Sequence, residues 1–283
     1  MPVRSASATY VYCVVEASRR PRAGSRAGVP GTGAVRCLPL DEISATRPRT
    51  ASPGKDGERR RRTLWVAVAD APLDRFSEQA IARGLGDVDW VSRAAVAHQS
   101  VVESFRRSHA LLPMRLFTIF SSDERVLKDL RGRRRRIETT LGRVEGHDEW
   151  GVRVSLDPAR AARGAETGAR PHGGRRTASG AGYLETKKAM RDIVSERATR
   201  AREVVTDLYD RLGTAASRAL RRTVSETPGA GAGLLLDAVF LVSTTRSSRF
   251  RAHVGREAKK LAPHGYGVTL TGPWPPYSFV QDA

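Results

Sequence analysis

Acidic residues are in short supply. Asp and Glu number 30 against 49 Lys and Arg, which sets the formal charge of this 283-residue chain at +19. Cysteine is almost missing: Cys13 and Cys37 are the two present. That excludes a disulfide-stapled scaffold, and no C-x-x-C spacing offers a metal site. Nothing supports a bridge between them, so a reducing, cytoplasmic setting is expected. Long apolar runs are also lacking. No stretch approaches the roughly 18 residues that span a bilayer, so no membrane association is expected. The short run from Tyr10 to Val15 is closed by Glu16 and reads as a buried strand, not a secretory segment.

Signatures of catalysis are missing too. There is no G-x-S-x-G elbow, P-loop, Rossmann glycine fingerprint or H-E-x-x-H. Gly28, Gly31 and Gly33 form a Gly-rich stretch, but no helix opens after it, and a phosphate cradle needs that helix N-terminus. The six histidines are scattered. His147, Asp148 and Glu149 are adjacent residues, which rarely point the same way, and no second ligand cluster is paired with them. No catalytic residue, cofactor or metal is predicted.

What is present is enough apolar mass for a core, 40 % of the chain. At about 150 residues per domain the length predicts two domains. The basic excess is uneven. From Arg19 to Arg62 there are twelve Lys and Arg against four Asp and Glu. The middle of that stretch has almost no large apolar residue, so it reads as a loop insertion. A similar stretch begins near Asp157 and runs to Gly182. A third basic cluster, Arg131 and Arg133 to Arg136, lies inside a helical pattern. These clusters keep open a nucleic-acid-binding regulatory role through phosphate neutralisation. Against it, no stacking aromatic is interleaved with the arginines, and the Arg, Ala and Gly bias fits a GC-rich coding background.

The periodicities predict alternating strands and helices. Thr9 to Val15, Arg36 to Leu40 and Thr63 to Ala69 read as strands, the last a continuous apolar run. Pro72 opens a helix near Leu73 to Arg83. Asp89 caps a longer helix from Trp90 to about His109, with Val91, Ala94, Ala95, His98, Val102 and Phe105 on one face. His98 sits on that packed stripe, where a hydrogen-bonded core histidine is expected. Met114 to Phe120 reads as the next strand. Ser121 and Glu124 form a capping box for a following helix. Glu149 to Leu156 alternates with period two. A helix is predicted from Tyr183 to about Arg222, with an interruption open near Gly213. Leu234 to Val242 reads as strand, Phe250 to Leu261 as helix, and Tyr266 to Thr271 as the last strand. The pattern favours α+β layers.

The chain closes on Gly272-Pro273-Trp274-Pro275-Pro276-Tyr277-Ser278-Phe279-Val280. Its prolines cannot donate ladder bonds and set extended φ values. The tail therefore either presents Trp274, Tyr277 and Phe279 stiffly to a partner or folds over its own domain.

Several segments resemble the gas vesicle protein F/L family. They are Tyr10-Val11-Tyr12, Ala97 to Glu103, Leu112 to Phe120, Glu149 to Val154, Gly182-Tyr183-Leu184 and, most distinctively, Thr271 to Val280. They occur in the family's order across nearly the whole chain. After Leu-Pro-x-Arg the family usually has Phe-Gly-Thr, whereas Leu116-Phe117-Thr118 stands here. The resemblance implies two α+β domains, residues 1–145 with an insertion at about 19–62 and residues 146–283 with an insertion at about 157–182. The second would be a modified ferredoxin-like fold carrying the tail 272–283. It implies a non-enzymatic accessory protein of gas vesicle assembly, cytoplasmic and vesicle-associated. Its partners would be the apolar shell subunit and other accessory proteins, met as a chaperone-like or minor structural component. Candidate partner-binding residues are Trp274, Pro275, Pro276, Tyr277, Phe279 and Arg115.

Overall fold

The β-branched and aromatic run around Tyr10 forms a strand, Ser7–Ala17 (β1), and everything in the first half of the chain is built on it. The computed structural model describes residues 7–22, 27–40, 62–157, 160, 180–223 and 233–280. Most of the two predicted basic insertions, about 19–62 and 157–182, lies outside these residues. The chain divides into two compact units, Met1–His147 together with Pro275–Ala283, and Asp148–Trp274.

In the first unit β1 pairs antiparallel with Thr63–Pro72 (β3), which pairs in turn with Arg36–Pro39 (β2). The far side of β1 takes Ala110–Pro113 (β4) and Ile119–Phe120 (β5). The β1–β3 register shifts between Val11 and Cys13. This bulge turns Ala8, Tyr10 and Tyr12 before it, and Cys13 and Val15 after it, toward the same core. Helices Leu73–Phe76 (α1), Glu78–Gly84 (α2) and Val88–Ser104 (α3) follow β3. Phe76, Ala94, Val101 and Val102 from this layer complete that core. The alternate strand residues Val11, Val14, Val66 and Val68 are equally buried on the opposite face. Helices Asp123–Gly132 (α4) and Arg134–Val144 (α5) contact β1 and β4 and bury Val126, Leu130, Ile137 and Leu141.

Three expectations are corrected here. The long helix is Val88–Ser104 and is capped by Asp87, whose carboxylate accepts from the N–H groups of Asp89 and Trp90. Its packed stripe is Ala94, His98, Val101 and Val102, and Ala95 is exposed. Strand β4 precedes the predicted strand Met114 to Phe120, of which only Ile119–Phe120 is extended. The next helix is capped by Ser122, not Ser121, its hydroxyl accepting from the Arg125 N–H.

The second unit runs strand, helix, strand, strand, helix, strand: His147–Leu156 (β6), Gly180–Gly213 (α6), Arg218–Arg222 (β7), Leu234–Ser243 (β8), Ser247–Leu261 (α7) and Tyr266–Trp274 (β9). The sheet order is β7-β8-β6-β9. Strand β7 corrects the helix expected to reach Arg222. Gly213 ends α6, and Arg218–Arg222 pairs antiparallel with β8. One core joins Val205, Leu208 and Leu212 of α6, Phe250 and Val254 of α7, and the inward residues of β6 and β8.

Candidate partner-binding surfaces

Arg115 lies in a tight turn between β4 and β5. The Thr118 N–H and hydroxyl both donate to the Arg115 carbonyl, at 3.2 and 2.8 Å. Phe117, third residue of that turn, has a φ of 60°. This geometry bends the chain out of the extended path that its apolar residues suggest. A chain of hydrogen bonds through Tyr10 and His98 ties this segment to the core. The Phe117 N–H donates to the Tyr10 hydroxyl at 3.1 Å, and that hydroxyl lies 2.8 Å from His98 Nδ1. His98 Nε2 lies 3.1 Å from the Met114 carbonyl. A carbonyl only accepts, so Nε2 carries the proton and Nδ1 receives the Tyr10 O–H. His98 is thus the satisfied core histidine its stripe position predicts. Burial drives its pKa down to about 4, so the imidazole is neutral. The Arg115 side chain stays exposed.

The Gly-rich stretch packs as structure. Tyr12 Oη accepts from the Val29 N–H at 3.0 Å and lies 3.3 Å from Thr32 Oγ1. A Cβ on Gly28 would sit 2.5 Å from that hydroxyl, so the backbone passes where only glycine fits. The cysteines are buried and unpaired with one another. Burial raises the Cys37 thiol to about 11 and pushes Cys13 up as well, which makes both unreactive.

The aromatic tail divides. Pro275, Pro276, Phe279 and Val280 are buried, and Tyr277 is half-buried against the core that holds Tyr10 and Tyr12. Trp274, the last residue of β9, is 42 % exposed. Segment 275–283 therefore groups with the first unit, although it was expected to belong to the second domain.

A surface that the sequence reading missed lies on α3 and at Leu85, just after α2. Leu85, Val88 and Val96 are 57, 75 and 71 % exposed. Val88, Ser92 and Val96 succeed one another at four-residue spacing, one stripe of a helix. Val96 and Ala97 line a cavity of about 690 Å³ with Ala27 and Pro30. Scattered exposed apolar residues are ordinary, but several sharing a helix face with a cavity mark an interaction surface. The signal was available as valines on the face opposite the packed stripe.

Many arginines are committed within the fold. Arg62 pairs with Glu145 at 2.7 Å and Glu16 at 3.4 Å. Arg36 spans Asp70 and Asp123, both at 2.9 Å. In the helical basic cluster Arg133 pairs with Asp129, Arg134 pairs with Glu138, and Arg131 Nε donates to the Leu40 carbonyl. The adjacent residues considered as metal ligands do not converge. His147 Nδ1 lies 2.7 Å from the Glu145 carbonyl, and Glu149 pairs with Arg222.

These features define a protein of mixed helix and sheet, with two antiparallel sheets in separate units. Residues 8–281 match the family described as gas vesicle synthesis protein GvpL/GvpF. Gas vesicle protein L of Streptomyces sp. (strain CB03234) is 33 % identical over 221 residues, 76 % of this chain and 79 % of that protein. Gas vesicle protein L2 of Halobacterium salinarum is 26 % identical over 302 aligned residues, covering 96 % and 91 %. The crystal structure of gas vesicle protein GvpF from Anabaena sp. PCC7120 is similar with a TM-score of 0.65 at 15 % identity, covering 98 % of this chain and 97 % of that one. That of GvpF from Microcystis aeruginosa gives 0.60 at 12 %, covering 97 % and 99 %. The chain belongs to the GvpL/GvpF family and has an accessory role in gas vesicles.

Proposed function

We propose that this protein works by contact and not by catalysis, covering the apolar shell subunit until it is built into the vesicle. The observation that carries this reading is the apolar stripe of Val88 and Val96 beside the cavity lined by Ala27, Pro30 and Ala97. A subunit that aggregates through greasy faces needs a partner surface of the same character, and burying apolar area supplies the driving force. Arg115 and Trp274, both exposed, are proposed as further contact residues. Other accessory proteins of the vesicle are proposed partners, and the protein is placed with them at the vesicle in the cytoplasm. We read the second unit as a modified ferredoxin-like fold, because its strand–helix–strand–strand–helix–strand order and its sheet order β7-β8-β6-β9 suit that arrangement.

The test is native co-purification with the shell subunit expressed alongside. The wild-type chain is expected to hold the subunit in the soluble fraction. Val88→Asp combined with Val96→Asp, both exposed and so tolerated by the fold, is expected to release it. Failure of the wild-type chain to retain any shell subunit overturns the reading.

A further inference from the structure

The second unit carries a cationic cavity unrelated to the apolar stripe. Arg249, His253 and Arg256 of α7 and Arg246 just before it are spaced three, four and three residues apart, so they form one row along the helix. They line a cavity of about 370 Å³ together with Thr214, Ala215 and the buried Phe250. No carboxylate is among the lining residues. Four other cations of this unit are matched by carboxylates. Arg211 and Lys260 pair with Glu257, Arg222 with Glu149, and Arg153 with Asp237. Among the described residues none of Arg246, Arg249 and Arg256 has such a partner. The first turn of α7 holds no acidic residue either, so its N-terminal dipole adds to the positive potential.

We propose that this cavity docks a carboxylate-rich segment of a partner protein. The row from Arg246 to Arg256 is about 15 Å long at the helical rise of about 1.5 Å per residue. That length matches three turns of an acidic helix or a short extended acidic strand. Arginine forks bind carboxylates in pairs of hydrogen bonds, and a chain with so large a positive charge attracts acidic partners at long range. The shape selects protein over duplex DNA. A helix that reads a DNA groove must protrude, whereas this row lies inside a concavity with Thr214 and Ala215 in its wall.

The test uses the full chain and a fluorescein-labelled helical peptide with Glu at four positions spaced to match the row, followed by anisotropy. Binding is expected at low salt and is expected to weaken as salt rises. Arg249→Glu with Arg256→Glu is expected to weaken it about tenfold or more. Arg135→Glu with Arg136→Glu, in the first unit, makes the same change in net charge at exposed positions and is expected to alter binding less than about twofold. Circular dichroism confirms that both variants fold. Absence of peptide binding by the wild-type chain, or equal loss in both double variants, overturns the proposal. So does displacement of the peptide by mixed-sequence duplex DNA at lower concentration than by unlabelled peptide.

Discussion

Phe117 lies flat on Trp90, with ring centroids 4.9 Å apart and planes 9° from parallel. The contact explains how a phenylalanine holds a φ of 60°. That region clashes with a Cβ and costs roughly 1–2 kcal/mol for a residue other than glycine. A stacked aromatic pair returns about 0.5–1.5 kcal/mol beyond its area burial. The bond from the Phe117 N–H to Tyr10 Oη adds to the same side. Trp90 is the residue that accommodates an aromatic side chain at this left-handed position.

Substitution at Phe117 separates strain from stacking. Phe117→Gly relieves the backbone and loses the stack, so its stability is expected within about 1 kcal/mol of the wild type. Phe117→Ala keeps the strain and loses the stack, and is expected to be about 1–3 kcal/mol less stable. Denaturant midpoints of the two variants give the comparison. An alanine variant as stable as the glycine variant would show that the backbone angle carries no cost, and an alanine variant as stable as the wild type would deny the stack its role.

Gly84, the last residue of α2, faces the same tryptophan. A Cβ there would lie 2.7 Å from the Trp90 ring. Gly to Ala in a helix ordinarily stabilises by up to about 1 kcal/mol. Here the sign reverses, because the indole must leave Phe117 to make room. Gly84→Ala is expected to lower stability by about 1–3 kcal/mol and to shift the tryptophan fluorescence spectrum.

His98 sets a pH dependence. Free imidazole takes its proton near 6.5, and burial lowers that to about 4 in the fold. Between these values the unfolded chain binds more protons than the folded one, so stability falls as pH drops from about 6.5 and levels off below about 4. The full loss is on the order of 3 kcal/mol. His98→Gln removes the titrating group. Its stability deficit at about pH 7.5 is expected to narrow toward pH 4.5, as read from denaturant unfolding at both values. A deficit that stays constant would show that His98 does not titrate in this window.

Most of the strands and helices were legible in the sequence because their periodicity reflects burial on one face or on both. The family membership was legible in the order of its motifs. The failures have local causes. The Arg115–Thr118 turn is set by a backbone angle of Phe117 that no apolar pattern encodes. Strand β7 is rich in arginine and mostly exposed, with Arg221 lying over the Tyr209 ring, so it carries no strand-like alternation. The valines of the α3 outer face stayed hidden behind the stronger signal of the packed stripe. For the tail, composition could not choose between presentation and burial. That choice depends on a core made by residues far earlier in the chain, from Ala8 to Leu111.

Removing the tail distinguishes these two uses of it. Phe279 and Val280 are buried, and Tyr277 packs against the Tyr10–Tyr12 core. A chain ending at Trp274 is therefore expected to lose stability in its first unit, by about 2–5 kcal/mol if the site collapses little. Hydrogen exchange is expected to quicken along β1 and α3 and to stay unchanged along β8. Trp274→Ala, at an exposed position, is expected to leave stability within about 0.5 kcal/mol. A truncated chain with unchanged exchange throughout would mean that the tail contributes nothing to the first core and is held for a partner alone.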